Sequence, residues 1–384
     1  MIHVAIDARL PDKGQGGVQQ VIRSLAEGFC LIETPNIRRS WIVLSGTKWW
    51  EGVFPDNDSL IIINPPLGKL SMMLANRAPK LVSRIYPLFS RIRSHKPLID
   101  KQLRELQVDL IHMPFQDGFI TDLPYIYHPH DLQHEYFPQY FRQSQITHRN
   151  SVWKSLAANS EIVMAASELI MSDLVKFWGI SEKKIKVLPI PPPSRFPTPS
   201  RVRNVFLNPY VIYPAVFWPH KNHLTLILAI NQLRQDGVEV HCVLTGSTGT
   251  EFTKIKHLVK NLGLNNVVHF RGHVTDQELT DLIIDSVAVV IPSLHEAFSL
   301  TAWDAYNLSI PVLMADTPSF RKQFGNEGHF FPPTDYLQLA RTIKKFINSD
   351  GSSANRSANG WVPALHFSPK DLATNFEKTY QLLC

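Results

Sequence analysis

The stretch HEAFSLTAWDA places two carboxylates, Glu296 and Asp304, seven intervening residues apart, between the apolar runs VAVVIPS and IPVLMA. A strand that turns into a helix there leaves Glu296 in the loop, sets Phe298, Ser299 and Leu300 at the helix start and carries Asp304 about a turn further in. Exposed amides at a helix start bind a pyrophosphate. A carboxylate in the loop can reach a sugar placed before it, and the later one can accept from a ribose hydroxyl. Ser293 and Glu296 also spell the S-x-x-E of a capping box, so the spacing leaves both readings open.

Other residues add candidates of the same kind. In YPAVFWPHKNH, Lys221 follows an apolar run at the start of a helix, where a mobile ammonium suits a phosphate; a solvated surface lysine fits as well. Gly14, Gly16 and Gly17 lie between HVAID and a helix, so their amides could approach an anion. Their spacing matches neither the dinucleotide fingerprint nor a Walker loop, and a tight turn explains them equally. GSTGTEF, from Gly246, reads first as a strand-to-helix turn and second as a phosphate loop. His112, His128, His130 and His134 cluster, with Asp131 beside His130. Strand alternation would set His128 and His130 on one face, and no acidic or cysteine partner falls at a ligand spacing. Hydrogen bonding to a substrate group is therefore preferred to a metal. The D-N-D at Asp56 to Asp58 reads as a solvated turn rather than a metal-chelating pair.

The elements that must position these residues alternate. HVAID, WIVLSG, LIIIN, VDLIHMP, PYIYHP and EIVMAAS read as strands interleaved with helices, the first helix near Val18 to Ile32. The proline-dense LPIPPPSRFPTPSRVRN, Leu188 to Asn204, reads as a stiff connector. Beyond it YVIYPA, VEVHCVLTG, NVVHFRG, VAVVIPS, PVLMA and HFFPP alternate with helices near His223 to Gln235, Phe252 to Leu262, Asp276 to Ile284, Ser299 to Asn307 and Tyr336 to Ile347. Leu372, Phe376, Tyr380 and Leu383 recur at helical spacing in PKDLATNFEKTYQLL. The expected fold is α/β with two doubly wound, Rossmann-like domains, ligands sitting beyond the carboxyl ends of strands in the cleft they face.

With 384 residues the chain is long enough for about two domains. Its 44% hydrophobic and 19% charged residues suit a globular protein. Three cysteines, Cys30, Cys242 and Cys384, show no paired spacing, so neither a disulfide framework nor a cysteine metal site is implied. The start MIHVAIDARL has no signal-peptide pattern, and no apolar run approaches the roughly 20 residues that span a bilayer. The expected location is the cytoplasm. A net charge of +6 favours anionic partners. Nucleic acid is not expected among them, since zinc motif, RNP sequence and basic stripe are all missing from the sequence. The stretch APKLVSRIYPLFSRIRSHKPLIDKQLREL mixes basic and apolar residues. It reads either as a peripheral contact with an anionic membrane, on its inner face, or as a helix with a solvated basic face.

Assembled, GGVQQVIRSL, HDLQHEYFPQYF, AASELIMSDL, PAVFWPHKNHLTLILAI, VVHFRGHVTDQELTDLI and PSLHEAFSLTAWDAYNLSIPVLMA resemble the retaining glycosyltransferases of family four, of GT-B architecture. The resemblance implies an acceptor domain over 1–195, a donor domain over 205–367, and a C-terminal helix, 368–384, packing back on the first. It implies that Glu296 holds the donor sugar and that Asp304, in the place of the family's second glutamate, binds the ribose. Lys221 would grip the donor phosphates, with Phe298, Ser299 and Leu300 giving amides to the pyrophosphate. Gly16 and Gly17 would lie near the phosphates and acceptor, His130 near the reacting sugar, and His273 and Val274 beside the base. The family's arginine five residues before that lysine is Val216 here. One charge-assisted hydrogen bond lost is worth about 1.5 to 3 kcal/mol.

The implied reaction is retaining transfer of a hexose or deoxyhexose, mannosyl-type first, from a nucleotide diphosphate sugar. The implied acceptor is a glycan or a lipid-linked molecule of cell-surface polysaccharide synthesis, with no metal and no cofactor beyond the donor. Val216 and Asp304 keep a second reading open, a catalytically weak homologue that binds nucleotide sugar.

Overall fold

The computed structural model describes residues 1–12, 16–63, 96–193, 209–325, 328–348 and 367–384. They divide into two compact units. Met1–Leu132, Arg142–Pro193 and Phe367–Cys384 make the first, and Gln133–Phe141 with Ser194–His366 the second. The nine residues 133–141 thus depart from the contiguous N-terminal domain expected at 1–195, being carried by the second unit. The expected boundary itself, 195–205, lies outside the described residues, as do Gly14 and most of the basic stretch from Ala78.

In chain order the strands are β1 (Ile2–Asp7), β2 (Ile37–Leu44), β3 (Ser59–Ile63), β4 (Leu110–Met113), β5 (Tyr125–Tyr127), β6 (Ile162–Ala165) and β7 (Ile185–Val187) in the first unit. Those of the second are β8 (Tyr210–Pro214), β9 (His241–Thr245), β10 (Val268–Gly272), β11 (Ala288–Ile291), β12 (Val312–Ala315) and β13 (His329–Phe331). The principal helices are α1 (Gly16–Cys30), α2 (Lys96–Glu105), α3 (Gln133–Tyr136), α4 (His223–Gln235), α5 (Phe252–Asn261), α6 (Asp276–Ile284), α7 (Leu300–Asn307), α8 (Pro318–Phe324), α9 (Tyr336–Asn348) and α10 (Pro369–Leu383).

Among the described residues the first sheet has the order β3-β2-β1-β4-β5-β6-β7 and the second β10-β9-β8-β11-β12-β13. Every pairing is parallel. Parallel sheets are covered by helices on both faces, so their central strands must be apolar on both. The buried runs Val4, Ala5, Ile6 and Val289, Val290, Ile291 meet that demand. In each sheet the strand order reverses beside the first strand, β1 or β8. Loops at the carboxyl ends of β1, β4, β8 and β11 therefore flank a switch point, the usual ligand position in open α/β sheets.

Helix α10 closes the first unit. Ser368 and Asp371 form a capping box, with Pro369 in the first turn. Leu372, Phe376 and Tyr380 are buried in the same cluster as Leu25 and Phe29 of α1. Gly28 permits the close crossing, because a Cβ there would overlap the Pro369 carbonyl.

Three sequence expectations change. Strand β7 and helix α8 are additional elements. The former is a three-residue edge strand beside lysines, as edges often are. The latter is capped by Thr317 with Pro318 in its first turn. Asp58 is not solvated: its carboxylate is buried and pairs with Arg39 at 2.8 Å, while Trp41 Nε1 donates to it at 2.8 Å.

Candidate active site

The second unit gathers its candidate residues from the loops after β8 and β11. After β8 the chain runs through buried Phe217 and exposed Trp218 into the short turn Pro219–Lys221. Asn222 then takes a left-handed conformation, φ 52°, before α4 begins at His223. Its side-chain amide donates to the carbonyls of Pro292 (3.0 Å) and Pro333 (2.8 Å), so one residue fastens the ends of three loops. Leu294 N–H donates to the His220 carbonyl at 2.8 Å and completes the join. Backbone constraint at Asn222 thereby fixes where the next side chain upstream, Lys221, can reach.

Lys221 Nζ donates to Glu296 Oε1 at 2.6 Å, with the two side chains 23% and 12% exposed. Ser293 Oγ donates to the same oxygen at 2.7 Å. The buried Tyr213 hydroxyl lies 2.8 Å from Ser293 Oγ and 3.2 Å from the Lys221 carbonyl. Burial, and secondarily the Glu296 charge, push the Tyr213 hydroxyl well above its ordinary range, so it stays a neutral donor. The chain of hydroxyls holds one oxygen of Glu296 in place. Ser293 and Glu296 are therefore not a capping box: the N-cap of α7 is Ser299, whose hydroxyl accepts from Ala302 N–H.

The implied pyrophosphate amides divide. Leu300 opens α7, and helix geometry leaves its N–H without an acceptor inside the helix. Ser299 N–H instead donates to Gln323 Oε1 of α8 at 3.1 Å. Phe298 packs against the hydrophobic core near Trp303. Asp304 is on α7 as expected, but only 3% exposed. Exposed His273 and half-buried Val274 occupy the turn between β10 and the capped start of α6. Val216, in the place of the expected arginine, is half-buried beside Phe217.

GSTGTEF is a close-packed turn. A Cβ on Gly246 would lie 2.5 Å from the Ala215 carbonyl, and one on Gly249 would overlap the Phe217 carbonyl. These glycines are explained by one backbone passing another.

In the first unit, β5 stops at Tyr127, so His128 and His130 do not alternate along a strand. His130 adopts φ 56°, a conformation that costs a non-glycine residue energy and tends to occur at working sites. Its Nε2 lies 2.7 Å from the Pro114 carbonyl, which can only accept, so Nε2 carries the proton and Nδ1 the lone pair. Burial lowers its pKa, keeping the ring neutral. Asp131, next in the chain, accepts from Arg149 at 3.2 Å and from Gln116 at 3.3 Å. His112 and His128 face each other, Nε2 to Nε2, at 2.8 Å, and Tyr380 bonds His112 Nδ1 at 2.6 Å. Burial drives His112 down to about 3. His134 is buried on α3 in the second unit. Gly16 and Gly17 open α1, and open space surrounds the Cβ position of Gly17.

Spatially, then, Lys221, Glu296 and the start of α7 come together, and His130 stands on the other unit. Tyr213, Ser293, Asn222 and Gln323 are additions of the structure. A serine three residues before Glu296 was a visible signal for one of them. Among the described residues no group of three or more His, Cys, Asp or Glu is placed to hold a metal, and no helix is long and apolar enough to cross a membrane.

Residues 205–361 match the family model described as glycosyl transferases group 1, and residues 63–191 the model described as glycosyltransferase family 4. The chain is 24% identical over 235 residues to the MMP alpha-(1->4)-mannosyltransferase of Mycolicibacterium hassiacum, 59% of this chain and 56% of that protein. It is 24% identical over 216 residues to the O-antigen chain mannosyltransferase of Salmonella typhimurium, 56% of this chain and 58% of the relative. The chain thus spans a little over half the length of these relatives. Among solved structures, Anabaena HepE in complex with UDP and glucose matches with a TM-score of 0.71 and 20% identity, over 99% of this chain and 100% of that one. Sucrose-phosphate synthase from Thermosynechococcus elongatus matches with a TM-score of 0.72 and 19% identity, over 100% and 99%. The fold is GT-B.

Proposed function

We propose that this chain, which has the GT-B fold and matches glycosyltransferase models in both halves, is a retaining glycosyltransferase of family four. Its donor is a nucleotide diphosphate sugar and its acceptor a glycan or lipid-linked molecule of cell-surface polysaccharide synthesis. A hexose or deoxyhexose is moved, mannose first, a choice supported by the mannosyltransferases among its relatives.

The observation that carries this reading is the Lys221–Glu296 pair at the mouth of α7. Lys221 exchanges its bond to Glu296 for a bond to the donor diphosphate, whose other oxygens meet the Leu300 end of the helix. Both groups stabilise the negative charge that grows as the sugar–phosphate bond breaks. Glu296, with Ser293 still on one oxygen, accepts from sugar hydroxyls. Asp304 is the proposed ribose acceptor, and His273 and Val274 flank the base. On the first unit, neutral His130 offers Nδ1 to a substrate hydroxyl, and Gly16 and Gly17 let substrate approach the backbone.

The transition state resembles an oxocarbenium ion. The bond from the anomeric carbon to the diphosphate oxygen breaks, and the acceptor oxygen bonds the same face. The leaving diphosphate takes the acceptor proton, so the configuration is kept without a metal or a dedicated base.

Incubation with acceptors and a panel of nucleotide sugars, with anomeric assignment by NMR and a parallel arm in chelator, tests each part. An inverted product refutes retention, and loss of transfer in chelator refutes metal independence. The burial of Asp304, with Val216 in the place of the expected arginine, supports a second reading as a weak catalyst. Donor binding without transfer or hydrolysis would select it.

A further inference from the structure

The loop that carries Glu296 is fastened from two sides, and the geometry points to Gln323 as the positioning residue that holds its second half in the donor-binding shape. This rests on the glycosyl-transfer reading above. The first half is tied to the loop after β8 by Leu294 N–H and Asn222. For the second half, Gln323 Oε1 accepts from Ser299 N–H at 3.1 Å, while its Nε2 donates to the Ser319 carbonyl at 3.2 Å and reaches those of Glu296 and Ala297 at 3.5 Å. A backbone N–H only donates and a carbonyl only accepts, so the two ends of the amide cannot be exchanged.

The platform beneath is fixed. Phe320 and Phe324 of α8 are buried in the core, and the Phe324 ring lies 4.9 Å from Trp303 of α7. Gln323 therefore cross-links two packed helices through the turn between Glu296 and Ser299. The consequence is a division of labour among amides. Ser299 spends its N–H on Gln323 and its hydroxyl on Ala302, which leaves Leu300 and Thr301, whose amides have no acceptor within the helix, to face a diphosphate. Gln323 touches no substrate in this arrangement. It sets the carboxylate that holds the sugar and the amides that hold the phosphates in one register.

The test compares binding of UDP, GDP and ADP, and of the matching free nucleosides, to the full chain and to Gln323→Met by calorimetry. Methionine keeps the length of the side chain and removes its hydrogen bonds. For the base that the unaltered protein prefers, affinity for the nucleoside diphosphate should fall about tenfold, the equivalent of roughly one hydrogen bond. Affinity for the nucleoside, which has no phosphates to meet, should stay unchanged. Gln323→Glu retains an acceptor for Ser299 but loses the donors toward Glu296 and Ala297, and should show the same selective loss if the methionine variant fails to fold. Equal losses for nucleoside and diphosphate, or none, would overturn the inference. Tighter diphosphate binding would overturn it too, since it would make Gln323 a competitor of the phosphate. If the unaltered protein binds none of the three nucleotides, the glycosyl-transfer reading itself fails.

Discussion

Replacing His223 by phenylalanine should stabilise the second unit, and do so more strongly in acid. The ring is 2% exposed, stacked 4.3 Å from Phe217 and tilted against Tyr213 at 4.8 Å. Neither nitrogen has a hydrogen-bond partner among the described residues. Burying an unsatisfied polar group costs about 1 to 3 kcal/mol, and a phenyl ring of nearly the same shape avoids it while keeping the stack. Burial, with Lys221 adding to it, lowers the imidazole from 6.5 to about 3. Below pH 6.5 the unfolded chain binds a proton that the folded one refuses, so stability falls with acid until about pH 3. Between pH 7 and 5 this single residue removes about 2 kcal/mol. A gain of about 1 kcal/mol at pH 7 should thus become about 3 at pH 5. Hydrogen exchange of peptides covering β8 and α4, at several pH values, reads the opening free energy directly. An advantage that did not grow on acidification would refute the account, and so would a variant less stable than the parent at pH 7.

Lys221→Met should lower kcat/KM with the preferred donor by a factor of about 100 to 1,000, the effect of removing one preorganised charge at the developing anion. Thermal stability should change little, because the ion pair is partly exposed; steady-state kinetics beside a melting curve checks both. Tyr380→Phe leaves buried His112 Nδ1 without its 2.6 Å partner and should cost the first unit about 1 to 3 kcal/mol in urea unfolding. Gly28→Ala should be more damaging, about 3 kcal/mol or more, since its methyl overlaps the Pro369 carbonyl and forces α1 from α10; the midpoint of unfolding would show it.

What the sequence discloses depends on how local the determinant is. Helix α4 starts and stops as read, His223 to Gln235, because Leu226, Ile227, Ile230 and Leu233 repeat at helical spacing. The strands that sit mid-sheet are apolar runs bounded by turns and are equally legible. Strand β7 is not, since an edge strand of Ile-Lys-Val lacks that signal. Glu296 and Lys221 are visible as candidates from their residue types and their places after apolar runs, but their contact joins residues 75 positions apart and follows only from the sheet order. The S-x-x-E at Ser293 was ambiguous for a physical reason: a serine three residues before a glutamate can cap a helix or hold the carboxylate itself. The same holds for Asp58, whose turn-like neighbours conceal Arg39 on the adjacent strand.

The second unit is not continuous along the chain. Tyr136 and Phe137 lie on His295, with ring centroids 5.1 and 6.2 Å apart, yet they precede it by more than 150 positions in the sequence. At ordinary translation speeds those aromatic rings wait roughly ten to thirty seconds for their partner to be made. A lobe expressed from residue 205 onward would lack them altogether, and would present the flank of the Glu296 loop bare to water.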